Sequence, residues 1–193
     1  MQPKMNKESL RKHVLRLRSE FDENYINDVS KNIFEKIKTM DIYKQSKTVM
    51  IYVSFEDEVN THKFINEMIK EGKKVVTPVC NYKDRTLTLA QTTKFPDGFQ
   101  RTKFGILEIP RKEAIPVDLK EIDMIITPGV AFTKIGKRLG YGAGFYDRLL
   151  LNKRKDTPTV CPVFKEFIFD DLPTDDHDVE VDFLVTSDEI IKC

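Results

Sequence analysis

Apolar side chains recur along the chain at two different spacings, which predict helices first and strands afterwards. Residues 10–21 and 26–40 place apolar side chains at intervals of three and four, which is typical of amphipathic helices. From residue 48 onward the apolar residues form short β-branched and aromatic runs bounded by polar residues. These runs predict buried strands at 48–55, 73–79, 122–132, 157–164 and 179–187, and the strand within 122–132 is expected to run into a turn.

Helical patterns separate several of these strands. The spacing of apolar residues at 64–69 predicts a helix with Asn60 or Thr61 as its N-cap and Gly72 just past its end. A second short helix is expected near 145–152. Strands that alternate with helices predict a layered α/β fold with a largely parallel sheet.

Two segments between the runs complete the pattern. Residues 85–92 alternate between polar and apolar, which predicts an edge or hairpin strand. Residues 93–117 are rich in proline and glycine, which predicts a long ordered loop. No internal repeat and no linker is visible, so we expect one domain over residues 1–193.

The charges are balanced overall but uneven along the chain. Of the 193 residues, 33% are charged, and the formal net charge is +1, which gives no reason to expect nucleic-acid or membrane binding. Residues 1–18 are rich in Lys and Arg, whereas residues 166–189 are rich in acids and contain neither Lys nor Arg. Both segments are compatible with solvated faces. The basic N-terminus is also typical of an organelle transit peptide.

The histidines and cysteines do not indicate a familiar catalytic or metal site. No CxxC pair and no Ser-His-Asp or Cys-His arrangement is visible in the sequence. The cysteines are few, odd in number and far apart, so we interpret them as thiols in a reducing compartment and expect a cytoplasmic protein: Cys80, Cys161 and Cys193.

A glycine-rich stretch, "GKRLGYGAGFYDRLL" at 136–150, is the strongest local signal of function. It joins a predicted strand to a predicted helix, and its alternate glycines would free backbone N–H groups to bind an anion. Lys137 and Arg138 add positive charge beside them. The spacing fits neither the Walker A loop nor the Rossmann fingerprint. From spacing alone, a structural turn is as well supported as a phosphate loop.

The same stretch resembles a family signature. "RLGYGAGFYDR" is similar to the R-L-G-x-G-x-G-[YF]-Y-D-R motif of 5-formyltetrahydrofolate cyclo-ligases, and further similar segments follow the family's order over nearly the whole chain: "KESLR", "YVSFEDEVNT", "DMIITPGVAF" and "LPTDDHDVEVDFLVT". Ala143 and Phe145 fall where the family varies. Phe167 and Val79 stand where a glutamine and a basic residue are frequent, which bears on finer substrate contacts.

The resemblance implies a reaction, a fold and partners. The family cyclises 5-formyltetrahydrofolate to 5,10-methenyltetrahydrofolate with ATP as co-substrate and Mg²⁺, and releases ADP and phosphate. The implied fold is a three-layer α/β/α, Rossmann-like sheet similar to that of sugar-phosphate isomerases and CoA transferases. We therefore expect a cytoplasmic monomer that also accepts polyglutamylated folates. We expect it to bind neither nucleic acid nor membrane.

The resemblance also assigns roles to positions of this sequence. Lys7 and Arg138 are implied to be catalytic. The implied ATP contacts are Lys7, Glu8, Ser9, Leu10, Arg11, Arg138, Leu139, Gly140, Tyr141, Gly142, Ala143, Gly144, Phe145 and Tyr146. The implied folate contacts are Val53, Glu58, Tyr141, Gly142, Ala143, Gly144 and Phe145. The implied magnesium contacts are Asp147 and Asp178.

Each assignment has a structural alternative. Lys7 and Arg11, four residues apart, also fit a solvated helix face, and Val53 fits core packing. Glu58 and Asp147 also fit charges at helix starts. The function of the whole protein has two alternatives, because fold does not fix function. One is a sugar-phosphate isomerase or CoA-transferase-like enzyme, and the other is a non-catalytic nucleotide sensor.

Overall fold

The computed structural model describes residues 5–193. Its α-helices are α1 (Lys7–Arg18), α2 (Glu23–Thr39), α3 (Asp41–Gln45), α4 (His62–Lys70) and α5 (Phe145–Leu151). The first strands are β1 (Thr48–Ile51), β2 (Lys74–Asn81), β3 (Thr86–Thr92), β4 (Gln100–Arg101), β5 (Leu107–Glu108) and β6 (Met124–Ile126). The later strands are β7 (Ala131–Thr133), β8 (Arg138–Leu139), β9 (Thr159–Pro162), β10 (Ile168–Phe169), β11 (Phe183–Val185) and β12 (Ile190–Lys192).

A seven-stranded sheet in the order β12-β11-β9-β6-β1-β2-β3 forms the centre of the fold. Strands β2, β1, β6, β9 and β11 are parallel, and the edge strands β3 and β12 run antiparallel to their neighbours. The predicted α/β fold with a largely parallel sheet is therefore confirmed. From β1 the chain proceeds to β2 on one side and later to β6 on the other, so the order of strands reverses between β1 and β6. Ligands bind at such a reversal, beyond the carboxyl ends of the strands.

Helices cover both faces of this sheet. Successive residues of β1 point to opposite faces, and the core divides accordingly. Val49 and Ile51 pack with the apolar residues of α1, α2 and α4, whereas Met50 packs with Leu149 and Leu150 of α5. These strand residues are fully buried, because each face of the parallel sheet is covered.

The strand predicted at the start of 122–132, running into a turn, is confirmed as β6. Strand β6 ends at Ile126, and β7 belongs to a separate three-stranded sheet with β8 and β10. Pro128, which lies between them, has no N–H to donate to a ladder, and its carbonyl oxygen accepts a hydrogen bond of 3.1 Å from Nη1 of Arg138. The break turns the chain out of the main sheet and toward the glycine-rich loop.

The segment 93–117, predicted as a long ordered loop, contains more regular secondary structure than that prediction implies. It contains the β4–β5 ladder, and Pro116 bridges to Ala90 of β3. The helix expected after β1 is confirmed as α4, with Thr61 at its N-cap and Gly72 in the left-handed region (φ 82°) just past its end. Within residues 5–193, no helix has the length and apolar character needed to cross a membrane.

Candidate active site at the reversal of strand order

A pocket of about 690 Å³ opens at this reversal of strand order. Its walls come from the residues that follow β1, the turn after β2, the start of α1 and the whole segment 138–147. The volume lies within the usual range for small-molecule sites. The pocket therefore joins regions of the sequence that lie more than a hundred residues apart.

The glycine-rich loop runs between β8 and α5 along one wall of this pocket. Gly142 and Gly144 have φ angles of 110° and 76°, which side chains other than glycine rarely adopt. Nε of Arg11 donates a hydrogen bond of 2.7 Å to the carbonyl oxygen of Gly140. The conformation of the loop thus depends on glycines with positive φ angles, and Arg11 attaches the loop to α1 by a hydrogen bond.

Arg138 is buried behind the loop and incompletely paired. Besides its bond to Pro128, its Nη2 lies 3.2 Å from Oδ1 of Asp147. Its Nε is buried and has no hydrogen-bond partner among the residues that the structure describes. A buried donor without a partner is costly, so this guanidinium suits an anion bound in the pocket.

Helix α1 brings two further cations to the same wall. The side chain of Asn6 caps the helix, so that Lys7 is its first residue. Lys7 Nζ lies 2.5 Å from Asp178 and 2.6 Å from Asp175. Burial lowers the pKa of Lys7, but the two aspartates outweigh burial and the net shift is upward. Lys7 is therefore firmly cationic.

The predicted contacts on α1 do not all reach the pocket. Lys7 and Arg11 line it, as their spacing predicts. Leu10 is buried in the core, and Glu8 pairs with the exposed Lys12. In the described part of the chain, neither of these nor Ser9 contributes to the pocket wall. The apolar face of α1 thus packs on the core while its basic face borders the pocket.

Glu58 follows β1 and also lines the pocket. It is only 5% exposed, and its carboxylate accepts hydrogen bonds from the Tyr141 hydroxyl (2.6 Å) and the Phe55 N–H (3.0 Å). Burial raises the pKa of Glu58 to about 7, although these hydrogen bonds and Arg18 act in the opposite direction. Val53 lines the pocket beside it. Glu58 therefore changes its charge near neutral pH.

Asp147 and Asp178 both line the pocket, each in an ion pair. The described hydrogen bonds of Asp147, from Arg138 and Val179, all end on Oδ1. Those of Asp178 all end on Oδ2. The ligand atoms of Asp175, His177 and Asp178 lie within 4.8 Å of one another, a group to which Asp147 does not belong. Each of the two predicted aspartates keeps its other oxygen for a further contact.

Several pocket residues carry no signal in the sequence. Tyr82 and Phe104 stand on two different turns, and their rings meet at 5.1 Å on the pocket wall. No local pattern marks such a pair. Phe167 and Val79 are buried, and within residues 5–193 neither lines this pocket. The neighbours of Val79 on β2 line it instead, because successive strand residues point to opposite faces.

Known proteins resemble this chain over most of its length. The model of the 5-formyltetrahydrofolate cyclo-ligase family matches residues 3–187. A 5-formyltetrahydrofolate cyclo-ligase from Haemophilus influenzae is 35% identical over 146 residues, which cover 74% of this chain and 77% of that protein. The mouse protein of the same name is 29% identical over 164 residues, or 80% of each chain.

Solved structures give the same result. The 5,10-methenyltetrahydrofolate synthetase of Aquifex aeolicus superposes with a TM-score of 0.84 at 32% identity, covering 97% of this chain and 93% of that one. The synthetase of Mycoplasma pneumoniae, at 22% identity and a TM-score of 0.76, supports the fold. Members of the matching family convert 5-formyltetrahydrofolate to 5,10-methenyltetrahydrofolate at the expense of ATP in folate metabolism. This chain belongs to the 5-formyltetrahydrofolate cyclo-ligase family.

Proposed function

We propose that this pocket binds ATP beside the glycine-rich loop and 5-formyltetrahydrofolate beside Glu58, and that it cyclises the folate to 5,10-methenyltetrahydrofolate. One observation carries the proposal. Consecutive residues of the loop are hydrogen-bonded to two different parts of the pocket lining: Gly140 to Arg11 of α1, and Tyr141 to Glu58 after β1. A phosphate on the loop and a folate on Glu58 would therefore meet within one pocket.

The proposed reaction is a phosphoryl transfer followed by ring closure. The formyl oxygen attacks the terminal phosphorus of ATP, and the bond from that phosphorus to ADP breaks. N10 of the folate then attacks the activated formyl carbon, the carbon–oxygen bond breaks, and inorganic phosphate leaves with the former formyl oxygen. N10 loses its proton, so the methenyl bridge joins N5 and N10. The reaction requires positioned charges rather than a protein nucleophile.

Three cationic side chains of this protein would stabilise the negative charge of the phosphates. Lys7, Arg11 and Arg138 line the pocket, and the buried Nε of Arg138 has no hydrogen-bond partner within residues 5–193. Cations held in place before the reaction stabilise negative charge that develops on the transferred phosphoryl group. We assign catalysis to Lys7 and Arg138, and phosphate binding to these residues together with the loop N–H groups.

Glu58 would recognise the pterin ring. Its ionised carboxylate is acceptor-only and suits the amino and ring N–H groups of a pterin. Val53 provides an apolar surface next to it, and Tyr141 borders the same space. Because the carboxylate is buried, hydrogen bonds to it are made in a site of low dielectric, where they are strong.

Asp147 and Asp178 fit a magnesium ion held mainly by the nucleotide phosphates. Mg²⁺ prefers oxygen ligands and is commonly bound by one or two carboxylates plus substrate phosphates. Each aspartate has one oxygen outside its described hydrogen bonds. When bound there, the ion would neutralise phosphate charge. We assign both residues as direct or water-mediated magnesium contacts.

The remaining expectations concern the whole protein. We expect the active unit to be a one-domain monomer. The pocket is open to solvent at Tyr82 and Phe104, which are about half exposed. An open mouth allows folates with glutamate tails of different length to bind. The cytoplasmic location stays a prediction from the sequence.

A spectroscopic assay tests the proposed function. Protein, ATP, Mg²⁺ and 5-formyltetrahydrofolate are mixed, and the near-ultraviolet absorbance of the methenyl product is followed. We expect absorbance to rise only when ATP and folate are both present. A folded protein that gives no ATP-dependent rise would overturn the proposal and favour a nucleotide sensor or another enzyme class.

A further inference from the structure

An ion pair between a buried arginine and a partly buried aspartate lies close to Glu58. Arg18, on the last turn of α1, is 4% exposed, and its Nε lies 2.7 Å from Oδ1 of Asp57. Within the described chain, neither residue lines the main pocket. An arginine removed from water in this way is retained only where a partner holds it.

Arg18 also contacts the glycine-rich loop. Its guanidinium carbon lies 5.6 Å from the centre of the Tyr141 ring, a cation–π distance. The Tyr141 hydroxyl in turn donates to Glu58, whose second oxygen accepts from Phe55. Arg18 of α1 thus contacts both the segment after β1 and the glycine-rich loop. Through Tyr141, these contacts lead to the carboxylate of Glu58, which lines the pocket.

The spacing along α1 explains how Arg18 reaches this position. Lys7, Arg11 and Arg18 are separated by four and seven residues, which places all three on one helix face. Lys7 and Arg11 reach the proposed phosphate side, and Arg18 reaches the folate side. The same helix face therefore serves both halves of the pocket.

Resting on the proposed function, we infer that Arg18 and Asp57 are positioning residues for the folate: they hold Tyr141 against Glu58 and set the charge of that carboxylate. Neither touches the substrate. Arg18 acts through the Tyr141 ring, and Asp57 fixes the guanidinium while lying next to Glu58 in the chain.

The two members of the pair act on Glu58 in opposite directions. The titratable and charged groups that act on it are Tyr52 just past the end of β1, Asp57, Tyr141, Tyr146 on α5 and Arg18 on α1. Burial is the main cause that raises the pKa of Glu58; Arg18 lowers that pKa and Asp57 raises it. Removing one member of the pair therefore has a different electrostatic result from removing the other.

Arg18→Met and Asp57→Asn test the inference through the pH profile of kcat/KM for 5-formyltetrahydrofolate. The acid limb of the wild-type profile should reflect Glu58. In Arg18→Met the midpoint of this limb should move up by about one pH unit, and in Asp57→Asn it should move down, because a nearby charge shifts a carboxyl by about that amount or more. At pH 7 the upward shift predicts a loss of about fivefold in kcat/KM for folate, with KM for ATP unchanged.

A merely structural ion pair predicts something else. Either substitution breaks such a pair, so both variants would lose activity. The midpoints of their acid limbs would stay in place or move in the same direction. This result would overturn the inference. Arg18→Lys keeps the charge and should return the midpoint toward the wild-type value. If Arg18→Met fails to fold, as judged by circular dichroism, the direction of the Asp57→Asn shift decides alone.

Two controls complete the experiment. Arg16→Met removes an exposed cation from the same helix and should leave the profile unchanged. In a Glu58→Gln background the acid limb should be absent, and Arg18→Met should no longer move it. If the wild-type protein forms no methenyl product, the proposed function fails; if it does and the two midpoints do not separate, only the positioning role fails.

Discussion

Nε of Arg11 donates a hydrogen bond of 2.7 Å to the carbonyl oxygen of Gly140, across 129 residues of sequence. The bond attaches the N-terminal helix to the glycine-rich loop at the pocket wall. It shows that the basic face of α1 borders the pocket rather than only water. Arg11 thereby positions the loop and also presents its guanidinium to any phosphate bound there.

Arg11→Met should raise KM for ATP about tenfold or more, since a hydrogen bond from a charged group is worth about 1.5–3 kcal/mol. KM for folate should change little. Steady-state kinetics with each substrate varied in turn measures both values. Lys12→Met, which removes the exposed neighbouring cation, is the matched control. An unchanged KM for ATP in Arg11→Met would indicate that the basic face of α1 is only a solvated surface.

Gly142→Ala should weaken nucleotide binding, because relief of the backbone strain would move the part of the loop that borders the proposed phosphate site. At φ 110° an L-residue is strained, and the added Cβ would lie 3.5 Å from the Arg11 guanidinium carbon. Gly72→Ala is the control, because its φ is 82° and its Cβ would meet nothing within 4 Å. Both variants should lose roughly 1–2 kcal/mol of stability from backbone strain. Calorimetric titration with ATP should show normal affinity only in Gly72→Ala; equal affinities would favour a purely structural turn.

The sheet could be predicted from the sequence because buried parallel strands consist of continuous apolar runs. The residue at which each strand ends could not be predicted. Tyr52 and Val53 continue the apolar pattern of β1, yet they lie past its end and line the pocket. Apolar side chains are needed equally in a core and in a pocket wall, so composition does not distinguish the two.

The site was only partly predictable for a related reason. Residues 138–147 could be found because they form one contiguous motif. Arg18 could have been found from its spacing to Lys7 and Arg11, which is a helical signal. The meeting of Tyr82 and Phe104 could not, because it depends on how two turns approach each other in space.

Glu58→Gln should weaken folate binding more than ATP binding, because it removes the acceptor-only charge beside the pterin. In the wild type, folate affinity should fall as the pH drops through about 7, where Glu58 becomes protonated. The variant should lack this dependence. Calorimetric titration at pH 6 and pH 8 measures it. Equal losses of affinity for folate and ATP would contradict the assignment.

Glu58 should also make stability depend on pH with a definite sign. Its pKa of about 7 in the folded protein lies above the ordinary value of 4.5, so the folded state binds the proton more tightly. Its contribution to stability is complete below about 4.5 and is lost as the pH rises through 7. Thermal melts should show that Glu58→Gln loses less stability than the wild type between pH 5 and pH 8. Parallel losses would contradict the raised pKa.

Asp147→Asn and Asp178→Asn should each raise the Mg²⁺ concentration needed for half-maximal activity. Carboxylate oxygens bind Mg²⁺ more strongly than amide oxygens, because the ion prefers charged hard ligands. Asp176→Asn makes the same change at an exposed position of the acidic segment and should leave the Mg²⁺ dependence unaltered. If neither Asp147→Asn nor Asp178→Asn shifts it, the magnesium assignment is wrong while the reaction assignment stands.

The central claim is that ATP activates the formyl oxygen itself in this pocket. The most direct measurement is a single-turnover reaction with ¹⁸O in the formyl group of the folate, followed by mass spectrometry of the released phosphate. We expect the phosphate to carry one ¹⁸O atom, because the carbon–oxygen bond breaks after the oxygen has been phosphorylated. Unlabelled phosphate, with methenyl product formed at the normal rate, would contradict the account.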